Sequence, residues 1–408
     1  MTVNEEALEL TAQCLCQAHR FTSSVPRASL PLKATYCHCT SCRHVTGALY
    51  SNNVPWHGDS EMIRASSLQR YVFSERLTIL FCGTCSSTMF FEKRTAEEGE
   101  GTDGISYGVL TGVLANVNIP NLVKITDHIF VGDTLDGGAT PWLCHVNSDG
   151  TRPRLWKGRK EQSEELMTAT WPTVEDCTGK GKAAAAADSE EFPVRCHCGG
   201  VDLVLRRPIA DFAAKKRSEL PWFVDPVTNK ALAAFDPCDT CRLSSGVDVF
   251  NWTFTLLRHL AFPRLDPNTN TRKQPGFPES SIELKNVIST TTQNRDPRWG
   301  TLAFYESSPD VQRYFCSRCS ACVFYAADDR PEMVNVAIGL LDSQNGARAE
   351  GLLSWAFGGK MVWREDVVGG WREEFVESVE AAAERWRIER GYPKNWRRIQ
   401  KEEAAMIT

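Results

Sequence analysis

Short runs in which apolar and polar residues alternate, each closed by turn residues, recur along most of this chain. Residues 70–73, 105–109, 201–205, 249–254 and 333–338 show the pattern, and apolar stretches at 89–91 and 323–325 add to it. Period-two alternation rich in aromatic and β-branched residues predicts half-buried strands, here in antiparallel sheets. Further extended segments are expected through Trp142, around Ile125-Thr126-Asp127-His128. The pattern changes near the end. Trp371, Phe375, Val379, Ala382 and Trp386 recur at helical spacing and Gly391-Tyr392-Pro393 stops them, which predicts an amphipathic helix packed on the domain before it. At 159–191 the composition turns to charge, Thr, Pro and an alanine run at 183–187. This stretch reads as a mobile linker, the alanines alone also suiting a short helix.

Composition narrows the setting. With 408 residues, 42% of them hydrophobic, the chain can fill two cores of ordinary size. No stretch approaches the roughly 18 apolar residues that read as a membrane span. The opening Met1-Thr2-Val3-Asn4-Glu5-Glu6 is acidic where a secretory signal is basic and then apolar. A cytoplasmic or nuclear location is expected, with no membrane partner. A net charge of −5 gives no electrostatic reason for a nucleic-acid partner. Lys394, Arg397, Arg398 and Lys401 surround Trp396, but Glu402 and Glu403 follow at once, as on a solvated helix.

The 16 cysteines carry the chemistry. In a chain with no export signal, close pairs of cysteine read as zinc ligands rather than as a disulfide framework. Seven fall in a set of two, three and two: Cys14 and Cys16, then Cys37, Cys39 and Cys42, then Cys82 and Cys85. The set recurs as Cys196 and Cys198, Cys238 and Cys241, Cys316 and Cys319, with Asp236 in the place of the first cysteine of the trio. Flanking residues repeat as well: Arg43 and Gly47 match Arg242 and Gly246, while Phe81 and Ser86 match Phe315 and Ser320. A tandem duplication is the economical explanation. It predicts domains at 10–158 and 192–370, the linker 159–191 between them and a helical segment at 371–408. The second domain has an insertion near 260–300, because 74 residues separate Cys241 from Cys316 where 39 separate Cys42 from Cys82. The proline-rich stretch 263–278 is its expected place.

Spacing alone lets the trio pair with either neighbouring pair. The outer pairs are intact in both copies and the trio is not, which marks Cys14, Cys16, Cys82 and Cys85, and Cys196, Cys198, Cys316 and Cys319, as closed structural zinc sites. Cys37, Cys39 and Cys42 then supply three thiolates and leave a fourth position open. Such a site carries one net negative charge, so it acidifies water less than a site of neutral imidazoles and suits a soft thiol ligand. The rival is a second structural zinc completed by His38, His44 or another side chain. His38 and His197 are expected beside the ligands rather than among them, and His128 as a packed or edge histidine. Arg43 and Arg242 either bind a substrate carboxylate or offset thiolate charge, the second being expected. Cys144, Cys177 and Cys322 have no partners at metal spacing.

The pattern Cys-x-Cys, Cys-His-Cys-x-x-Cys-Arg-x-x-x-Gly and Phe-Cys-x-x-Cys, followed by an apolar strand and His128-Ile129-Phe130-Val131, resembles the glutathione-dependent formaldehyde-activating enzyme family, which includes centromere protein V. The likeness covers most of residues 10–142 and, more weakly, 193–345. It implies a mainly β chain of two tandem zinc-stapled β-tent domains plus a C-terminal helix. It also implies a carbon–sulfur lyase acting on a thiol–aldehyde adduct such as that of glutathione and formaldehyde. Carried over by position, Cys37, Cys39 and Cys42 are catalytic. Two zinc ions belong to the first domain and one or two to the second, where Cys238, Cys241 and Asp236 form the altered site. The alternative is a non-catalytic zinc scaffold that binds a protein partner. Two departures stand out: family members usually carry glycine where Ser86 and Ser320 lie, and Asp236 is a harder ligand than cysteine. The second domain is therefore expected to be silent or altered, with activity in the first.

Overall fold

The alternating runs become strands in a computed structural model that describes residues 7–94, 104–167, 191–264, 276–291 and 293–407. In the first half, β1 (Ala7–Gln13) and β2 (Arg20–Pro26) form a hairpin. There follow β3 (Leu32–Cys37), β4 (Ser51–Pro55), β5 (Gln69–Ser74), β6 (Leu77–Phe81), β7 (Thr88–Arg94), β8 (Ile105–Val109) and β9 (Val123–Ile129), then β10 (Arg154–Trp156) and β11 (Glu165–Leu166). Their sheet runs β11-β10-β9-β3-β4-β8-β7-β6-β5. In the second half, β12 (Glu191–Arg195) and β13 (Asp202–Arg206) repeat the hairpin. After β14 (Ala231–Asp236), β15 (Phe250–Leu256) and the short β16 (Leu260–Ala261) come β17 (Leu302–Ser308), β18 (Val311–Cys316), β19 (Cys322–Ala327), β20 (Met333–Ala337) and β21 (Leu353–Trp355). Their main sheet runs β17-β18-β19-β20-β15-β14-β21, the order of β5-β6-β7-β8-β4-β3-β9.

Even the irregularities repeat. A bulge at Val72/Ser74 on β5 matches one at Glu306/Ser308 on β17, and a shift at Leu80/Phe81 matches one at Tyr314/Phe315. The sheets are not wholly antiparallel as expected: β9 lies parallel to β3, and β21 parallel to β14. A parallel neighbour requires a crossover, and the chain between β3 and β9 supplies it by running through five other strands.

Helices fill the gaps: α1 (Thr40–Thr46), α2 (Ser60–Arg64), α3 (Thr140–Leu143), α4 (Ile209–Ala213), α5 (Asp239–Ser245), α6 (Ser281–Ser289), α7 (Trp371–Glu389) and α8 (Trp396–Ile407). Trp142 thus sits on a helical turn, not in the extended tail expected there. Of the linker, residues 159–167 are described and include β11, which pairs with β10, and its last residue, Glu191, opens β12. The alanine run and Cys177 lie outside the described residues, as does most of the proline-rich stretch of the insertion. The stripe Trp371, Phe375, Val379, Ala382 and Trp386 is buried as its spacing predicts. However, α7 packs against α3 of the first half as well as against the second half, so it spans both.

The two halves share one hydrophobic core. Trp142 meets Phe235 edge-on at 5.2 Å and lies 5.5 Å from Trp355. Burying one such ring contributes about 2–3 kcal/mol. The contact between halves is reciprocal: Gly112 N donates to Gly246 O and Gly339 N to Gly47 O, the same two elements meeting twice with roles exchanged.

Candidate metal centres

Each outer pair sits at the end of a hairpin, and the fold brings the pairs together. Cys14 and Cys16 follow β1, Cys82 and Cys85 follow β6, and their sulfurs lie within 4.8 Å of one another. Cys14 Sγ and Cys16 Sγ are 3.6 Å apart, as are Cys16 Sγ and Cys82 Sγ. In the second half Cys196, Cys198, Cys316 and Cys319 form the same group, with Sγ separations of 3.6 and 3.4 Å. These are far beyond a disulfide bond of about 2.05 Å. They approach the roughly 3.8 Å edge of a tetrahedron of sulfurs about 2.3 Å from a zinc ion. Backbone amides reinforce the arrangement, with His19 N donating to Cys14 Sγ at 3.3 Å and Val201 N to Cys196 Sγ at 3.2 Å. Both donor sets fit zinc.

The knuckle after each last cysteine needs a left-handed residue. Ser86 takes φ 60° and Ser320 φ 66°, so serine occupies the conformation that glycine adopts without penalty.

Cys37 ends β3, and Cys39 caps α1 by accepting the amide of Cys42 at 3.3 Å. One turn of helix therefore places Cys42 beside the other two. The three sulfurs lie within 4.8 Å of one another, and the group closes at three, without His38 or His44. Cys42 is buried whereas Cys37 and Cys39 are partly exposed. Sulfur hydrogen bonds with Cys37 and Cys42 pull Cys39 down to about 3, and those with Cys39 and Cys42 push Cys37 well up. Three thiolates at this spacing repel one another, and a divalent cation between them removes the conflict.

His38 is fully buried with Nε2 2.8 Å from Nδ1 of His128. Burial lowers both, His128 to about 3, so the pair is neutral and packs behind the trio. Arg43 is buried, its Nη2 donating to Thr40 Oγ1 at 3.1 Å, and the charges of Asp136 and Cys39 act on it. Asp133, which the sequence reading passed over, has its carboxyl raised by burial and then by the charge of Cys39. Its signal was its position just after His128-Ile129-Phe130-Val131.

The second trio keeps the backbone and changes the surroundings. Asp236, Cys238 and Cys241 offer ligand atoms within 4.8 Å of one another. Trp252 Nε1 lies 3.4 Å and Arg313 Nη1 3.6 Å from Cys241 Sγ. Neither residue was singled out from sequence, although a charged Arg313 inside the apolar run before Cys316 was the available signal. Arg242 donates to Gly112 O at 2.7 Å and Leu114 O at 3.1 Å across the halves and pairs with Asp239 at 2.7 Å. His197 docks on β5, with Nδ1 2.6 Å from Tyr71 Oη and its ring stacked 4.6 Å from Phe73. Cys144 and Cys322 are buried outside the four groups.

No helix among the described residues is long and apolar enough to cross a membrane. No curated protein and no solved structure matches the chain. A family model does match, over residues 9–133, which hold β1 to β9, the first four-cysteine group, the trio and Asp133. That segment is similar to the family described as glutathione-dependent formaldehyde-activating enzyme.

Proposed function

We propose that the chain makes or breaks the carbon–sulfur bond of a thiol–aldehyde adduct at Cys37, Cys39 and Cys42, with the second half, a repeat of the first, taking no part in the chemistry. The observation that carries this reading is the partly exposed group of three cysteines, which no histidine, carboxylate or further cysteine among the described residues joins. Cys37, Cys39 and Cys42 would hold a zinc ion that, when bound, would accept a soft thiolate and stabilise that sulfur as a leaving group. The likeness over residues 9–133 supports glutathione as the thiol and formaldehyde as the aldehyde.

In the breaking direction the electron pair of the carbon–sulfur bond goes to sulfur, and the hydroxyl of the adduct loses its proton to become the carbonyl of the aldehyde. We assign that proton to the side-chain oxygen of Asp133, whose carboxyl is raised by burial and by the Cys39 charge. Arg43 reduces the negative charge of the trio from behind. Neutral His38 and His128 fix the strand that carries Cys37 and Cys39, aided by His38 N donating to Ile129 O at 3.0 Å.

The test is exchange between the adduct and free formaldehyde, followed by NMR with zinc-loaded full-length protein. Cys39→Ser is expected to abolish acceleration while leaving the unfolding transition in place. Intact protein that fails to accelerate exchange would leave only a zinc scaffold.

A further inference from the structure

Both trios sit on the same strand–helix corner, so any difference between them comes from the strands that face it. Register fixes the equivalences. Cys37 pairs with Ser51 where Asp236 pairs with Phe250, which makes Asn53 the counterpart of Trp252. Ile79 pairs with Tyr71 and Phe91 where Arg313 pairs with Tyr305 and Tyr325, which makes Ile79 the counterpart of Arg313. An apolar side chain and a small amide thus face the first trio, while a guanidinium and an indole face the second.

We propose that the Asp236, Cys238 and Cys241 cluster takes no metal ion because Arg313 already supplies its cation, and that Arg313, not the change to Asp236, is what closes this site. Its Nη1 lies 3.6 Å from Cys241 Sγ. That sulfur also accepts the Trp252 indole N–H at 3.4 Å and lies 3.3 Å from Asp236 Oδ2. Cys238 Sγ accepts the Cys241 amide at 3.3 Å and lies 3.4 Å from Thr240 Oγ1. The amide on Cys238 repeats the Cys42 amide on Cys39, so the Trp252 and Arg313 donors to Cys241 are what set this cluster apart.

Arg313 is not free to swing aside. It is buried, its Nη2 donates to Thr240 Oγ1, its Nε donates to Ser307 Oγ at 3.3 Å, and its guanidinium stands 5.1 Å from the ring centre of Tyr325. A guanidinium does not shed its proton in a protein. An incoming divalent ion would therefore meet a fixed like charge inside a buried site, where repulsion is weakly screened. Asp236 remains a competent ligand by itself, since carboxylates bind zinc at ordinary distances. The second half has exchanged a metal cation for a covalently attached one and kept the corner's geometry.

The inference concerns metal content and stands whether or not the first trio is catalytic. The experiment counts zinc per full-length chain by elemental mass spectrometry in wild type, Asp236→Cys and Arg313→Ile, the last copying Ile79. Expected are equal counts in wild type and Asp236→Cys, and one additional ion in Arg313→Ile that disappears when Cys238→Ser is added. Arg313→Met, which keeps more volume, replaces the isoleucine variant if that fails to fold. Wild type losing one ion on Cys238→Ser alone, Asp236→Cys gaining an ion, or a folded neutral variant at position 313 gaining none would each overturn the proposal.

Discussion

The amide of Gly339 donates to the carbonyl of Gly47 over 2.9 Å, across the contact between the two halves. Gly112 and Gly246 make the same bond with the halves exchanged. A Cβ on Gly339 would press into the carbonyl of Ala48, and one on Gly112 into the backbone of Gly246. Gly112→Ala and Gly339→Ala are each expected to destabilise the chain by about 1–3 kcal/mol through overpacking. Gly276→Ala, with nothing within 4 Å of its Cβ, serves as the control in denaturant unfolding and should change little.

Serine in place of glycine at the two knuckles makes the halves respond differently. A left-handed conformation costs a non-glycine residue about 1–2 kcal/mol, and glycine returns about 0.5–1 kcal/mol of that as unfolded-chain entropy. Ser86→Gly should therefore stabilise slightly, by about 0.5 kcal/mol. Ser320 shares a 2.9 Å hydrogen bond with buried Thr88 Oγ1, so Ser320→Gly strands that hydroxyl. Its expected effect is a loss of about 1 kcal/mol. Paired unfolding curves of the two variants check the difference in sign.

A pH effect follows from Glu350. Burial alone would raise its carboxyl, but Arg348 Nε and Arg390 Nη1, each 2.7 Å away, hold it down to about 2. A depressed acid stabilises the fold above its unfolded value and loses that contribution as pH falls through the folded one. Glu350→Gln should therefore be less stable than wild type at pH 7, by up to about 3 kcal/mol. The gap should close as pH falls from 4.5 toward 2. A gap that stays constant across that range would contradict the assignment.

The closed four-cysteine groups should behave as part of the fold. Cys316→Ser removes one ligand from a site that ties the β18 knuckle to the hairpin of β12 and β13. Structural zinc supplies on the order of 10 kcal/mol in small zinc domains. Loss of cooperative unfolding by circular dichroism is the expected result, in contrast to Cys39→Ser.

Much of this was legible in the chain. Residues 105–109 alternate because one face of β8 is buried, whereas 333–338, which is β20 within a residue, is buried on both faces. Cysteine spacing picked out the pairs and the trios, and comparison of the two copies joined each outer pair to the other, the grouping that the fold brings together. The rest depended on residues distant in sequence. Nothing near Ile79 or Arg313 says that their strand faces the trio, and Asp133 reaches Cys39 only because β9 lies parallel to β3. Nothing in the sequence around Gly112 and Gly339 marks the close backbone contact they make with the other half. The stripe on α7 gave its buried face correctly but could not say that this face bridges both halves.

The central claim is an incomplete sulfur shell at Cys37, Cys39 and Cys42. Replacing zinc with cadmium-113 and recording its NMR spectrum on the full-length protein, before and after adding glutathione, tests it most directly, because each site resonates separately according to its sulfur count. Two resonances should stay fixed, those of the four-cysteine groups, and a third should move into their region as a fourth sulfur binds. A spectrum in which no resonance responds to the thiol would contradict the account.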